Sequence, residues 1–268
     1  MKKNWTGERL ESFIYSRDAI EHLHRYALVS SYIENRIVLD IACGEGYGSN
    51  LMSELAASVT GVDIDAKTVA AAKLKYQKKN LSFLTGSASS IPLEDNSVDV
   101  VVSFETIEHH DQHDQMVAEV KRVLKSGGII IISTPDKLNY SDKRNFQNPF
   151  HVKELHKEEF ASLIGNQFKS MQLLTQTYCN GNSIIQDEAN QNEIQYYTGS
   201  YSSLSSHEID AFYLIAVACD ADFKKQKTSV FDGTQIVKKD VQHHFEKSNT
   251  FKVGNFILAP FKFLKRIL

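Results

Sequence analysis

Short apolar runs alternate with helical patterns along the first half of the chain. Five short apolar runs, most of them containing valine and isoleucine, predict strands at residues 37–41, 58–62, 81–84, 99–103 and 128–133. They lack the in–out alternation of half-exposed strands, which indicates strands covered on both faces of a sheet. Between them, the spacing of apolar positions predicts helices at about 46–56, 65–78 and 112–125.

The alternation of strands and helices predicts an α/β fold with a doubly wound, Rossmann-like, seven-stranded and mostly parallel sheet. Two later runs, at 168–178 and 211–219, supply the last two strands, and a helix is predicted near 153–165. We expect a helical cap at 1–35, a main domain at 36–220 and a C-terminal extension at 221–268. Within the main domain, 136–207 should carry acceptor-side loops, because 179–207 is rich in Gln, Asn and Ser and predicts an irregular insertion.

Composition narrows the class of protein. The 268 residues are 42% hydrophobic, which suits one medium domain with an elaboration. A formal charge of −3 provides no field for nucleic acid. Three scattered cysteines without a C-x-x-C pair are typical of a reducing compartment. With no secretory signal at the N-terminus and no spanning apolar run, the expected location is cytoplasmic.

A glycine-rich loop follows the first predicted strand in the sequence VLDIACGEGYG, residues 38–48. Gly44, Gly46 and Gly48 lie at the carboxyl end of that strand, where open parallel sheets bind ligands. Asp63 ends the second strand and can accept both hydroxyls of a ribose. Asp40 and Glu45 flank the glycines and would repel a pyrophosphate. The loop therefore favours a nucleoside that carries a positively charged sulfur over NAD.

Over residues 20–165 the sequence resembles the class I S-adenosylmethionine-dependent methyltransferases. The resemblance rests on four motifs in order: VLDIACGEG at 38–46, GVDI at 61–64, IPLEDNSVDVV at 91–101 and RVLKSGG at 122–128. The segments STPDK at 133–137 and NPFHVKEL at 148–155 also resemble methyltransferases associated with bacterial surface-polysaccharide synthesis.

The resemblance implies S-adenosylmethionine as the cofactor and assigns roles to individual residues. Asp40 and the backbone of 42–46 would hold the methionine part, Asp63 the ribose and Ile64 the adenine. Ser87 stands where many relatives have an aspartate for the adenine amino group, which departs from the family pattern. Arg25 in the cap would pair with the methionine carboxylate. The expected cofactor-binding residues are Asp40, Ala42, Cys43, Gly44, Gly46, Asp63, Ile64, Ser87, Ala88, Ser103, Phe104 and Arg25.

The candidate catalytic residues follow the fourth strand in FETIEHH, residues 104–110, where an acceptor would meet the methyl group. Glu105, Glu108 and His109 have the spacing E-x-x-E-H, and His151 would join them after the fifth strand. The set resembles the two-Glu, two-His metal site of small-RNA 3′-terminal 2′-O-methyltransferases and the E-x-x-E-H of ubiquinone-biosynthesis O-methyltransferases. Three roles stay open: a divalent metal held by these four residues, metal-free base catalysis by His109 or His151 with Glu105, or a structural role.

Two other histidines of this region, His110 and His113, are expected in a solvated loop.

The acceptor also has several candidates. The first is a sugar, or a lipid-linked or nucleotide-linked glycan, methylated on oxygen. The others are a quinone-like phenol, the 2′-hydroxyl of RNA, and no acceptor at all in a cofactor-binding module. RNA is disfavoured because residues 136–210 lack a basic stripe with interleaved aromatics.

The tail at 251–268 has four cations, no acid and bulky apolar residues. Packing on this domain, packing on a second subunit of a homodimer, and peripheral contact with an anionic membrane all fit this composition.

Overall fold

The computed structural model describes residues 10–251, 253 and 254, which form a central sheet with helices on both faces and a separate hairpin. The strands are β1 (Ile37–Ile41), β2 (Ser58–Asp63), β3 (Leu81–Thr85), β4 (Val98–Phe104), β5 (Leu124–Pro135), β6 (Ser170–Cys179), β7 (Asn182–Asp187), β8 (Tyr196–Ser200), β9 (Ser203–His207), β10 (Tyr213–Cys219) and β11 (Ser229–Asp232). The helices are α1 (Arg17–Ile33), α2 (Tyr47–Met52), α3 (Ala66–Lys75), α4 (His113–Val123), α5 (Lys157–Gly165) and α6 (Thr234–Lys247).

The main sheet has the strand order β11-β7-β6-β10-β5-β4-β1-β2-β3. The first five strands pair in parallel, and β10 runs antiparallel between β5 and β6. The order reverses beside β1, which creates the switch point where doubly wound sheets bind ligands. The predicted α/β fold is confirmed, although the sheet has nine strands where seven were predicted, because β7 and β11 extend one edge.

The prediction of an irregular segment at 179–207 was wrong. Residues 182–187 form β7, which pairs with β6, and residues 196–207 form the hairpin of β8 and β9. The polar composition concealed β7 because its polar side chains are buried: Ser183 is fully covered and Gln186 is 6% exposed. From the predicted C-terminal extension, β11 pairs with β7 and α6 follows it.

Two apolar layers hold the helices against the sheet. On one face, Leu28, Val29 and Ile33 of α1 pack on side chains of the central strands. On the other face, α4 and α5 bury Met116 and Phe160 against the same strands. Since both layers leave the carboxyl edge of the sheet uncovered, the loops after β1, β2, β4 and β5 meet there.

The tail at 251–268 was predicted to pack on protein or to contact a membrane. Apart from residues 251, 253 and 254, it lies outside the described residues. Among the helices that are described, none has the length and apolar content needed to cross a bilayer.

Candidate functional site

A cavity of about 370 Å³ opens at the carboxyl ends of β1, β2 and β4. It is walled by the loop after each of these strands and by one side of α1. Its lining residues are Leu10, His22, Tyr26, Ala42, Cys43, Gly44, Glu45, Tyr47, Asp63, Ile64, Gly86, Ser87, Ala88, Ser89, Phe104, Glu105, Thr106, His109, His110 and Gln112. Eight of the twelve predicted cofactor-binding residues lie in this wall, whereas Asp40, Gly46, Ser103 and Arg25 do not.

The glycine loop turns sharply so that its backbone faces the cavity. Ala42 and Gly44 have left-handed φ angles of 55° and 52°, and the Gly44 amide donates to Asp63 Oδ2 at 3.0 Å. A Cβ atom added at Gly44 would have nothing within 4 Å, so open space lies directly against this backbone. An uncovered backbone beside an acidic side chain fits a nucleoside cofactor that has no phosphate.

Gly46 and Gly48 serve the protein's own packing, although the sequence placed them against a ligand. A Cβ at Gly46 would lie 2.7 Å from the ring of Phe83, and one at Gly48 would lie 2.0 Å from the ring of Tyr26. Tyr26 in turn lines the cavity and meets Phe104 edge-on, with ring centroids 5.2 Å apart. Gly48 therefore determines where one aromatic wall of the cavity stands.

Asp40 lies behind the loop, outside the cavity wall. Its carboxylate is 1% exposed and accepts a hydrogen bond from Ser49 Oγ at 2.6 Å. Burial raises the pKa of Asp40 to about 7, and the charge of Asp63 adds to this effect, while the Ser49 hydrogen bond opposes it. Glu45, the other acidic residue of the loop, forms an ion pair with Lys75. The negative charge that the sequence places around the glycines is thus partly neutralised.

The nucleoside end of the cavity is formed by the loops after β2 and β3. Asp63 is 3% exposed, and its Oδ1 accepts a hydrogen bond from the Asp65 amide at 2.9 Å. A carboxylate oxygen accepts hydrogen bonds, and a hydroxyl of a bound ribose is a donor of the kind that it accepts. Ile64 is 71% exposed, an unusual state for an apolar side chain beside a cavity, and it offers a surface for a flat ring. Ser87 and Ala88 complete this end.

The surroundings of Arg25 and Ser103 differ from those expected for residues that contact a cofactor. The Arg25 guanidinium is buried below the cavity, where Nη1 donates to Gln176 Oε1 at 2.7 Å and lies 3.8 Å from Glu105 Oε1. Ser103 is fully buried within β4. Contact of either residue with a cofactor stays a prediction.

The sequence did not single out His22 and Tyr47, which both line the cavity. Tyr47 Oη lies 2.9 Å from His22 Nδ1, and the two side chains join α1 to the start of α2. Burial lowers the pKa of His22 well below its usual value, and the nearby Arg25 adds to the effect, so the imidazole is neutral. The position of Tyr47 between Gly46 and Gly48 was the one available signal.

Glu105 turns the chain at the end of β4. It has a left-handed φ of 51°, and its Oε1 accepts a hydrogen bond from Ser133 Oγ at 2.6 Å. A left-handed backbone at a non-glycine residue is strained and is common at functional sites. After this turn, Thr106 and His109 line the cavity, whereas Ile107 and Glu108 are buried.

Three of the four candidate metal ligands meet beside the cavity, and two of them, His109 and His151, are also predicted catalytic residues. One ligand-type atom from each of Glu108, His109 and His151 lies within 4.8 Å of the others. Glu108 is 1% exposed, and its Oε1 has no hydrogen-bond partner among the described residues. Burial raises the pKa of Glu108 well above its usual value, and the charge of Glu105 adds to this effect. Glu105 is outside this cluster.

The two histidines differ in their hydrogen bonds. His109 Nδ1 lies 2.9 Å from the carbonyl oxygen of Phe150. Because a carbonyl only accepts, Nδ1 carries the proton, and the neutral ring has its free lone pair on Nε2. His151 Nδ1 lies 2.5 Å from Glu154 Oε1, and its Nε2 lies 3.0 Å from the amide nitrogen of Asn148. The lone pair of His151 is therefore already used, whereas His109 lines the cavity with its own available.

His110 and His113 are not in a solvated loop, contrary to the sequence prediction. His113 begins α4, is 4% exposed and donates from Nε2 to the His110 carbonyl at 2.7 Å. His110 lines the cavity and is partly covered. Packing of α4 under the loop after β4 covers both rings.

Comparisons with known proteins agree with this geometry. Residues 39–132 match the protein family described as "Methyltransferase domain". A probable S-adenosylmethionine-dependent methyltransferase of Mycolicibacterium smegmatis is 39% identical over 166 residues, which cover 59% of this chain and 62% of that protein. A phthiotriol/phenolphthiotriol dimycocerosates methyltransferase of Mycobacterium ulcerans is 30% identical over 115 residues, covering 41% of this chain and 42% of that protein.

A solved S-adenosylmethionine-dependent methyltransferase of Mesorhizobium loti superposes with a TM-score of 0.54 at 12% identity, over 75% of this chain and 98% of that one. This likeness supports the fold alone. The chain spans about three fifths of the length of the Mycolicibacterium smegmatis relative. The resemblance to class I S-adenosylmethionine-dependent methyltransferases is confirmed, and residues 39–132 are the part of the chain that matches the methyltransferase-domain family.

Proposed function

We propose that this chain, with its class I methyltransferase domain, methylates a hydroxyl oxygen of a sugar or of a lipid-linked or nucleotide-linked glycan. S-adenosylmethionine, the cofactor of this family, supplies a methyl group already activated on a positively charged sulfur. The observation that carries the proposal is His109, which lines the cofactor-sized cavity and whose Nδ1 is engaged by the Phe150 carbonyl, so that Nε2 is the nitrogen left to act as a base. A hydroxyl acceptor needs such a base, because its oxygen must lose a proton as it gains the methyl group.

The residues of the cavity divide the work of this reaction. Asp63 and Ile64 would hold the nucleoside, and the Gly44 backbone would face the methionine part. With S-adenosylmethionine bound, His109 Nε2 would accept the proton of the acceptor hydroxyl as its oxygen takes the methyl group from the sulfur. The Phe150 carbonyl retains the proton on Nδ1, which keeps the imidazole in the tautomer that this role requires.

His151 acts through position and not as a second base. Its ring meets His109 at 90°, with centroids 5.2 Å apart, and stacks on Tyr140 at 5.5 Å. Hydrogen bonds to Glu154 and Asn148 occupy both of its nitrogens. A ring fixed in this way limits the rotation of His109 and forms part of the acceptor side of the site.

The direct test replaces each histidine and measures turnover with a panel of sugar, glycan-lipid and phenol acceptors. His109→Ala should lower kcat by about 10²–10⁴-fold, the usual contribution of a positioned base. The affinity for S-adenosylhomocysteine should change little, since His109 is at the acceptor side. His244→Ala, on the exposed face of α6, is the matched control. Full activity in His109→Ala would contradict the proposed base, and a phenol as the only acceptor methylated would contradict the glycan.

The same cluster supports a second mechanism, in which Glu108, His109 and His151 hold a divalent cation that lowers the pKa of the acceptor hydroxyl. The buried, unpartnered Glu108 Oε1 lies 3.9 Å from His109 Nε2 and favours this alternative. The hydrogen bond of Asn148 to His151 Nε2 opposes it, because a bound ion would need that lone pair. Metal analysis of the purified protein, with activity measured before and after chelation, separates the two mechanisms.

A further inference from the structure

A second and larger cavity lies on the α5 side of the sheet. Its volume is about 1060 Å³, at the upper end of the range of about 300–1,000 Å³ that ligand pockets usually have. Strands β6, β7 and β10 form its floor, the start of α5 forms one wall, and the hairpin of β8 and β9 forms another. It shares no lining residue with the cofactor-sized cavity.

Two buried polar side chains in its wall each have an oxygen atom without a hydrogen-bond partner in the part of the chain that the structure describes. Thr175 is 2% exposed and Gln186 is 6% exposed, and they lie directly opposite each other on β6 and β7. Thr175 Oγ1 and Gln186 Oε1 make no hydrogen bond to any described residue, and the same is true of Asn139 Oδ1. Buried polar atoms are nearly always satisfied by protein, water or ligand. This wall therefore offers hydrogen-bonding capacity to whatever fills the cavity.

The charges of the wall disfavour an anion. The residues that line the cavity include four carboxylates and two lysines. Lys143 pairs with Asp210 at 2.7 Å, and Lys157 pairs with Glu188 at 2.7 Å. A phosphate or carboxylate would meet an acidic wall whose lysines are already engaged. An anion is thus disfavoured, and the unpartnered oxygens of Thr175, Gln186 and Asn139 suit a ligand rich in hydrogen-bond donors, such as a polyol.

The hairpin adds aromatic surface to the polar floor. Tyr196 and Tyr197 both line the cavity, and Tyr196 Oη lies 3.3 Å from Thr177 Oγ1. Tyr197 is 66% exposed. An aromatic ring with a polar tip suits a ligand that has both an apolar C–H face and hydroxyls.

We infer that this cavity binds a neutral saccharide, and that this saccharide is a remote segment of the methyl acceptor. The segment 136–142 connects the two sites: Asn139 lines the second cavity, and Tyr140, next in the chain, stacks on His151 at 5.5 Å. The second half of the inference rests on the proposed function, whereas saccharide binding itself does not.

The test uses the full chain and neutral tetrasaccharides of the gluco, manno, galacto and rhamno series, with inorganic phosphate and glucuronate as charged comparisons. Saturation-transfer NMR and calorimetry should detect at least one neutral tetrasaccharide and neither anion. Thr175→Val and Gln186→Leu should weaken its binding by about tenfold or more. Tyr197→Ala tests the same site at an exposed position, where the fold is not at risk. Thr60→Val and Gln242→Leu are matched controls away from the cavity.

The outcomes separate this inference from the proposed function. Saccharide binding that the three cavity variants weaken, without methylation of any sugar, supports the site and rejects the acceptor assignment. If sugars are methylated, cavity variants should raise KM for long acceptors and leave it unchanged for monosaccharides. Absence of binding by the whole panel, or equal binding by the cavity variants and the controls, would overturn the inference even if sugar methylation is found.

Discussion

Among single residues, Asp40 has the most clearly unfavourable environment for its ionised form. Burial raises the pKa of this carboxyl to about 7, from 3.8, so ionisation at higher pH opposes folding. The unfolded chain loses the proton first, and the unfolding free energy should therefore fall as pH rises from about 4 to 7. Between pH 5.5 and 8 the wild type should lose about 2 kcal/mol relative to Asp40→Asn. Denaturant titrations at both pH values measure this difference, and parallel pH profiles would show that Asp40 titrates normally.

Gly48 provides a steric prediction. A methyl group at this position would enter the ring of Tyr26, which lines the cavity and contacts Phe104. Gly48→Ala should lower the unfolding free energy by about 1–3 kcal/mol, the usual effect of overpacking, and weaken S-adenosylhomocysteine binding as the ring moves. Gly165→Ala is the control because a Cβ there meets nothing within 4 Å. Equal stability of the two variants would show that Tyr26 yields without strain.

Among individual residues, the sequence predicts those that act through their backbone and those that hold a fixed position in a motif. Gly44 and Asp63 follow from the loop and the end of the second strand, and the structure brings them within one hydrogen bond. The sequence could not show which side of the cavity wall a side chain occupies. Arg25 is 1% exposed and donates a hydrogen bond to Gln176 on a distant strand. No local sequence pattern predicts this contact.

Among secondary-structure elements, those with an apolar pattern were predicted and those with a polar one were not. The valine-rich runs of β1, β2 and β4 give the central strands near their observed bounds. In β7, Ser183 is buried because Gln176 and His24 satisfy its hydroxyl, which lies 2.8 Å and 2.9 Å from their side-chain nitrogens. Such tertiary hydrogen bonds allow a polar strand to be buried, and periodicity cannot reveal them.

His24 joins three elements and gives the pH prediction for α1. Its ring nitrogens lie 2.9 Å from Ser183 Oγ on β7 and 3.0 Å from Ser229 Oγ on β11. Burial lowers the pKa of His24 to about 4, and Arg25 adds to the effect. Since the unfolded chain binds the proton first, stability should decline as pH falls from about 6.5 to 4. His24→Gln should flatten this decline by about 2–3 kcal/mol in denaturant titrations, while His244→Gln should leave it unchanged. A His24→Gln profile as steep as that of the wild type would assign the decline to other groups.

For the whole molecule, the motif order predicted a doubly wound sheet with a switch point at β1, and that arrangement assembles the cavity. The edge formed by β7 and β11 did not follow from the motifs, because it depends on pairing between segments far apart in the chain. The second cavity needs this edge and the hairpin together. The sequence could therefore locate the cofactor site but not the surface beside it.

The whole fold should respond to the cofactor as one unit, because α1 and the loops after β1, β2 and β4 all contribute to the cavity wall. A ligand that binds only the folded state at 100 times its Kd adds about 2.7 kcal/mol to the unfolding free energy. For a chain of this size the melting temperature should rise by roughly 5–10 °C with S-adenosylhomocysteine. Asp63→Ala should abolish most of the shift, whereas Asp222→Ala, outside the cavity, should retain it. NAD should produce no shift. Stabilisation by NAD in place of S-adenosylhomocysteine would refute the assignment of the cavity, because a pyrophosphate would then be accepted beside Asp63 and Glu45.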